Sequence, residues 1–387
     1  MLNVLWLCSW YPSRVSPTNG DFVERHAMAT APFVNLTVLC VEKDPSLPPG
    51  AADIQRTEEH GFTVYRVYYS GSGRGGLLEK LFSFRRYKQL QEQLYRRICN
   101  EKGQPEIIHV HVAMKAGLLA LSLKRKEQLP YIVTEHWTGY YPQGDPNIYE
   151  SNWLLKKITK KVLTGAFRFL PVSRALGDTV ARYFAGIPFT AVPNVVDTAV
   201  FNYQNKAALR FRFLHVSYLN YQKNPEGILA AAALLKERGI DFEIQMTGNT
   251  GQHLLPLVKE YGLEQHIIFE DTIPYHDVAN RMQHAHSFLL FSRFENLPCV
   301  ILEALCCGLP VISSRVGGIA EVINSANGLL VESGAISDLA NAMQKMIEGY
   351  KTFNREQISA RAIQQFNYDT IGRVHLGIYD ELMAVNK

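Results

Sequence analysis

Ser292-Arg293-Phe294-Glu295-Asn296-Leu297-Pro298-Cys299-Val300-Ile301-Leu302-Glu303-Ala304-Leu305-Cys306-Cys307-Gly308 follows an apolar run, His286–Phe291. A continuous apolar run reads as a strand covered on both faces. Pro298 suits a first helical turn, Asn296 can cap it, and Gly308 can end it. The helix so defined is apolar almost all round, hence buried, with Glu303 in its middle. A buried carboxylate is costly unless something donates hydrogen bonds to it, and a ribose diol would do so. Glu295 stands just before the helix, where a strand-end crevice could grip a sugar hydroxyl. The competing reading pairs Glu303 with a structural Lys or Arg and leaves Glu295 on the surface.

The same strand-then-helix rhythm runs through the chain. Apolar runs predict strands at 2–7, 34–41, 63–69, 107–111, 131–135 and 168–172, then at 211–217, 242–247, 267–269, 287–291, 309–313 and 328–331. Alternation with helical patterns argues for an α/β fold with parallel sheets. The break falls near Val192-Pro193-Asn194-Val195-Val196-Asp197, before the polar stretch 202–207. The expected architecture is two doubly wound, Rossmann-like domains, 1–195 and 205–368, facing each other across a cleft. Ligands of such folds bind beyond the carboxyl ends of the strands.

Composition sets limits on function. The chain has 387 residues, 47% of them apolar, and a net charge of +4, which excludes intrinsic disorder. No run approaches the ~18 apolar residues that span a bilayer. The N-terminus lacks a basic segment and a cleavage site, so it is not read as a signal peptide. Cys8, Cys40, Cys99, Cys299, Cys306 and Cys307 form no CxxC and are expected to be free thiols in a cytoplasmic protein. The charge is uneven: residues 1–200 carry a net +7 and residues 201–387 a net −3. Residues 74–97 hold seven basic and two acidic residues, and 151–177 hold six basic and none acidic. Such patches concern partners rather than fold.

Other segments carry chemistry at strand ends. In Leu214–Glu226, Asn224-Pro225 starts a helix and Lys223 stands at its N-terminus. An ammonium beside helix amides suits a diphosphate; the alternative is a solvated loop lysine. In Ser313–Glu321, Gly317 and Gly318 let backbone amides approach a ligand; the alternative is a plain turn with Glu321 as a capping partner. His136 follows the strand 131–135, and Gly20 lies in the loop after the first strand; most isolated histidines and turn glycines have no such role. His109 and His111 share one strand face, but no nearby carboxylates or thiols complete a metal set. Gly71-Ser72-Gly73-Arg74-Gly75-Gly76 matches GxGxxG, the dinucleotide pattern of an oxidoreductase. Yet the strand before it contains Arg66 and looks peripheral, so the segment is read as a flexible loop.

Together these residues resemble the retaining nucleotide-sugar glycosyltransferases of the GT-B fold, family four, the group 1 transferases. The strongest match is the E-x7-E pair Glu295 and Glu303, continuing to Ala304, Gly308, Pro310-Val311 and Gly317-Gly318. The resemblance implies that Glu303 holds the nucleotide ribose and Glu295 the donor sugar hydroxyls. Amides from Asn296 and Leu297 to Cys299 and Val300 would assist sugar and phosphates. Lys223 would neutralise the leaving diphosphate, His136 would contact the donor sugar, and Gly20 would lie against the phosphates. Asn194 and Asp197 match the family's PNGVD linker, with Val195 in place of its glycine, and a helix at about 370–387 would return to the first domain. One departure matters: Tyr218 stands where the family has a phosphate-clamping arginine, so Arg315 or Arg293 could supply the second cation.

The implied reaction moves a hexosyl unit from a nucleoside diphosphate to a glycan or a polyprenyl- or lipid-linked hydroxyl, as in cell-surface polysaccharide or glycolipid synthesis. No metal or other cofactor is expected. A nicotinamide-dependent oxidoreductase and a non-catalytic sugar-nucleotide-binding protein are the alternatives. Nucleic acid lacks a binding module here. Two basic amphipathic segments, 77–98 and 153–163, are candidates for an anionic membrane surface on the cytoplasmic side; the alternative is two ordinary surface helices packed on the sheet. In the first, Tyr87, Leu90, Leu94 and Ile98 form an apolar face; in the second, Leu155, Ile158 and Val162 do, with Lys156, Lys157, Lys160 and Lys161 turned away.

Overall fold

The computed structural model describes residues 1–73, 76–206 and 208–385. Arg74 and Gly75 of the glycine-rich loop, Ala207 of the polar stretch and the last two residues lie outside the described residues. The chain divides into two compact units. One holds Met1–Val172, Gly177–Val192 and the chain from Tyr368; the other holds Ser173–Leu176 and Pro193–Asn367.

The first unit is built on a seven-stranded sheet of order β3-β4-β2-β1-β5-β6-β7. Its strands are β1 (Asn3–Cys8), β2 (Asn35–Lys43), β3 (Ala52–Glu59), β4 (Phe62–Tyr69), β5 (Ile107–His111), β6 (Tyr131–Glu135) and β7 (Phe169–Pro171). All pairings are parallel except the antiparallel β3–β4 pair. β3 is a strand that periodicity misses. Its sequence ADIQRTEE is mostly exposed, because an edge strand needs no continuous apolar run. Its presence also corrects the reading of residues 63–69 as peripheral. β4 is paired on both sides and almost fully buried. Arg66 fits inside it because its guanidinium ion-pairs with Glu59 and lies over the Tyr11 ring.

The second unit is a six-stranded, wholly parallel sheet of order β10-β9-β8-β11-β12-β13. Its strands are β8 (Arg212–Val216), β9 (Glu243–Thr247), β10 (Ile267–Glu270), β11 (Ser287–Leu290), β12 (Val311–Ser314) and β13 (Gly328–Val331). Here every strand was signalled by an apolar run. Side chains such as Phe213, Ile244, Leu289 and Ile312 pack with the helix Pro225–Glu237 in one buried cluster.

Each sheet has a point where strand order reverses, between β1 and β5 in the first and between β8 and β11 in the second. Loops leaving adjacent strands diverge there and open a crevice. In the first unit the helix Asp21–Thr30 packs against the C-terminal helix Tyr368–Val385. Gly372 permits that approach, since a Cβ there would strike the Ala29 carbonyl.

Candidate functional site

The loops leaving β8 and β11 meet at the reversal point of the second sheet. After β8 the chain forms a short turn, Tyr221–Lys223, capped by the Asn220 side chain. Asn224 then takes a left-handed φ of 52° and starts the helix Pro225–Glu237. This turn delivers Lys223 Nζ to 2.5 Å from Glu295 Oε1. Glu295 is 4% exposed, so both the surface-glutamate and the solvated-lysine alternatives are overturned. Ser292 Oγ donates to the same Oε1 at 2.8 Å, and Gln222 Nε2 donates to Oε2 at 3.2 Å. A buried carboxylate with one ammonium and two neutral donors is well satisfied. Sequence spacing gave no hint of Gln222, because its partner lies 73 positions away.

β8 also fixes the turn from beneath. His215 is fully buried between the Leu289 carbonyl and Ser217 Oγ, and Ser217 Oγ accepts the Leu219 amide. Burial first, with nearby Lys223 adding to it, pushes the His215 imidazole down to about 4. The neutral ring therefore works as a structural strut.

Glu303 is buried in the helix Cys299–Cys306, as its apolar surroundings predict. Tyr275 Oη donates to Glu303 Oε1 at 3.0 Å, and the Tyr275 ring packs 4.8 Å from Phe201. Two expectations about this helix need correction. Pro298, not Asn296, occupies the N-cap position, and no side chain caps it. The first-turn residues Cys299 and Val300 follow directly on the Glu295 loop. Gly308 does end the helix, at a left-handed φ of 72°.

Gly317 and Gly318 close the floor of the loop. Gly317 has φ of 53°, and a Cβ there would overlap the Glu295 carbonyl. The Gly318 amide donates to the Asn296 carbonyl at 2.7 Å. That amide is thus committed to the protein, so the paired glycines shape the Glu295–Asn296 backbone. Asn194, of the linker, donates to the Leu297 carbonyl at 2.7 Å. Glu321 caps no turn of its own; it accepts the Arg174 and Ala175 amides.

Tyr218 is 58% exposed. Of the two candidate cations, Arg293 lies 4.2 Å over the Tyr221 ring and donates to the Tyr221 carbonyl. Arg315 pairs with Glu332 at 3.2 Å on an exposed surface. Arg293 therefore shares the Lys223 turn and Arg315 does not.

Gly20 and His136 belong to the first unit. Gly20, at φ of 83°, precedes the helix Asp21–Thr30, and a Cβ there would fall 2.6 Å from the Trp10–Tyr11 peptide. His136 is buried beside Phe22, with ring centroids 4.6 Å apart. Glu135, just before it, is fully buried and accepts the amides of Ala113, His136 and Trp137 and the Tyr140 hydroxyl. Burial pushes its carboxyl up. His109 and His111 do share a face; the fold adds His375 beside Trp6 and sets His26 and His136 against His111. Among the described residues no group of three or more His, Cys, Asp or Glu side chains is arranged to hold a metal ion.

The glycine-rich loop is occupied by its own helix. Glu79 Oε2 accepts the Ser72 amide at 2.8 Å, and a Cβ on Gly71 would overlap the Glu79 carboxylate. Hydrogen bonding from Lys43, then Ser72 and Ser83, holds that carboxyl down at about 2. A fixed anion at the amide a pyrophosphate would need argues against dinucleotide binding. The six cysteines are free, as expected. No described helix is long and apolar enough to cross a membrane.

Comparisons with known proteins bear on the family and the fold. Residues 200–365 match the family model "Glycosyl transferases group 1", and residues 34–200 match "Glycosyltransferase Family 4". The chain is 24% identical over 391 aligned positions to TuaC of Bacillus subtilis (strain 168), a glycosyltransferase named for teichuronic acid biosynthesis, covering 96% of this chain and 94% of that one. Among solved structures, sucrose-phosphate synthase from Thermosynechococcus elongatus superposes with a TM-score of 0.77 at 20% identity, over 99% of this chain and 100% of that chain. Anabaena HepE in complex with UDP-glucose gives 0.71 at 16% identity, over 98% and 100%. The two family models together span residues 34–365, and the chain belongs to the group 1, family 4 glycosyltransferases of the GT-B fold.

Proposed function

We propose that this protein is a retaining glycosyltransferase that moves a hexosyl unit from a nucleoside-diphosphate sugar to a hydroxyl of a glycan or lipid-linked acceptor. The reading places the work in polysaccharide or glycolipid synthesis at the cytoplasmic face of a membrane. The observation that carries it is the Lys223–Glu295 pair at the reversal point of the second sheet, with Glu303 buried one helix further on. The UDP-glucose complex of HepE supports a nucleotide-sugar donor for this fold.

Lys223 is neutralised by Glu295. A donor diphosphate offers the ammonium a second anion, and Glu295 is then free to accept sugar hydroxyls. Ser292 and Gln222 keep the Glu295 carboxylate oriented during that exchange. Glu303, with Oε1 fixed by Tyr275, accepts the ribose hydroxyls. As the glycosidic bond breaks, negative charge grows on the departing diphosphate. Lys223, with the amides at Cys299 and Val300, stabilises it, the kind of electrostatic term that usually dominates such steps. The proton of the acceptor hydroxyl passes to the departing diphosphate oxygen, and attack on the same face retains the anomeric configuration.

Calorimetry and thermal shift with UDP-, GDP- and ADP-sugars test the reading. Glu303→Ala is expected to abolish donor binding, and Glu295→Ala to lower turnover with donor affinity largely kept. Unchanged donor affinity in Glu303→Ala would remove the ribose role. Inverted product configuration by NMR would refute retention.

A further inference from the structure

The apolar stripe of each basic segment packs on the protein. Tyr87, Leu90, Leu94 and Ile98 are all buried, and so is Val162. What remains exposed is a different set of apolar side chains, at the first turns of the same two helices. Leu78 is 68% exposed and Phe82 37%; Trp153 is 71% exposed and Leu154 51%. Soluble surfaces rarely gather large apolar side chains this way without a partner.

Both helices repeat one pattern. At 100° per residue, Leu78, Leu81, Phe82, Arg85 and Lys88 fall on one outward arc of the helix Gly76–Lys102. Trp153, Leu154, Lys157, Lys160 and Lys161 fall on one outward arc of the helix Trp153–Gly165, opposite its buried Thr159, Val162 and Leu163. In each the apolar residues form the tip and the basic residues form a collar one to two turns behind. The only acidic residue between 76 and 91 is Glu79, and 153–165 has none. Glu79 is held by Lys43.

The two tips point to one edge. A helix that links parallel strands starts at their carboxyl ends, and β4, β5, β6 and β7 are linked this way. Leu78, Leu81 and Phe82 share a groove with Pro49 and Ser72, which lie in the loops leaving β2 and β4. The helix Gly117–Glu127 packs between the two helices and joins them into one layer.

We infer that this edge of the first sheet docks on an anionic phospholipid bilayer, with the apolar tips entering the headgroup boundary and the basic collars meeting the lipid phosphates. The occupant follows from charge: an apolar tip alone would suit many partners, but a collar of one sign around it suits an anionic surface. Long lysine stems reach the phosphates while their own turns stay above the boundary. The inference rests on the proposed lipid-linked acceptor and names the surface that meets it.

The test uses the full chain and vesicles of phosphatidylcholine with or without phosphatidylglycerol. The protein is expected to co-sediment with the anionic vesicles alone, less at high salt, with a blue shift of Trp153 fluorescence. Each basic residue near such a surface contributes about fivefold to binding, so Lys157→Ala/Lys160→Ala/Lys161→Ala should weaken it by about a hundredfold. Trp153→Ser/Leu154→Ser and Leu78→Ser/Phe82→Ser should each weaken it at least tenfold, roughly what withdrawing two apolar side chains from lipid implies. These exposed positions leave the fold and the donor-induced thermal shift unchanged. Wild-type protein that ignores anionic vesicles, or variants that bind as wild type does, would overturn the inference. So would a change of oligomeric state in the variants, which would assign the patch to a second copy. A donor shift without vesicle binding defeats only this inference; vesicle binding without a donor shift defeats the proposed function instead.

Discussion

Lowering the pH from 7.5 to 5.5 should unfold the first unit far more readily than its surface charge suggests. His109, His111 and His375 are fully buried around Trp6 and are held neutral, each imidazole well below its ordinary value, by burial first and by neighbouring histidines, His26 among them, second. His109 bridges Tyr379 Oη and Thr134 Oγ1, each at 2.7 Å, and His375 meets Thr30 Oγ1 at 2.8 Å. His111 lies 4.0 Å from the Trp6 ring and 4.2 Å from His109, with no hydrogen-bond partner at either nitrogen among the described residues. A group whose folded value is depressed contributes stability that is complete above its unfolded value, about 6.5, and is lost as pH falls below it. Between pH 7.5 and 5.5 each such histidine removes about 1.4 kcal/mol, so three remove about 4 kcal/mol. Glu135, whose carboxyl is raised, works in the opposite sense, which makes that figure an upper one. The assay is urea unfolding followed by tryptophan fluorescence, since Trp6, Trp10, Trp137 and Trp153 all belong to the first unit. His111→Phe should remove about a third of the pH slope. A midpoint that is the same at pH 7.5 and 5.5 in the wild type would refute the reasoning.

Three further outcomes are expected. Lys223→Met should weaken donor binding about 10- to 100-fold, the cost of a lost charge-assisted contact, while Tyr218→Phe should leave it unchanged; calorimetry reads both. Tyr275→Phe should weaken the donor up to about tenfold, and a larger loss in Glu303→Gln would show that the carboxylate outweighs its orienting phenol. Gly317→Ala should destabilise the second unit by about 1–3 kcal/mol and lower turnover, because φ is 53° and the new Cβ meets the Glu295 carbonyl. Thermal denaturation and a steady-state assay check it.

The fold was legible because parallel strands buried on both faces are written as continuous apolar runs, as in Phe288-Leu289-Leu290 and Val311-Ile312. β3 was not, because its polar residues pair with β4 at an open edge. Glu303 was legible as a lone charge in an apolar helix, and its phenol partner was not, since Tyr275 is 28 positions away. The basic helices were legible as amphipathic, but which apolar face was buried was not: Tyr87 and Leu78 look alike in sequence, and the sheet decides between them.

Sequence alone determined the alternation of strands and helices, the positions of the chain breakers and the Glu295–Glu303 spacing, because these depend on contacts and geometry within a few turns of chain. Tertiary structure decided that Lys223 neutralises Glu295, that Gly317 is required by protein backbone, that Glu79 occupies the glycine-rich loop, and that His109, His111 and His375 gather around Trp6. Those outcomes join residues tens to hundreds of positions apart. Only the packing of the sheets brings such charges and backbones close enough, in a medium of low enough dielectric, for their interaction to matter.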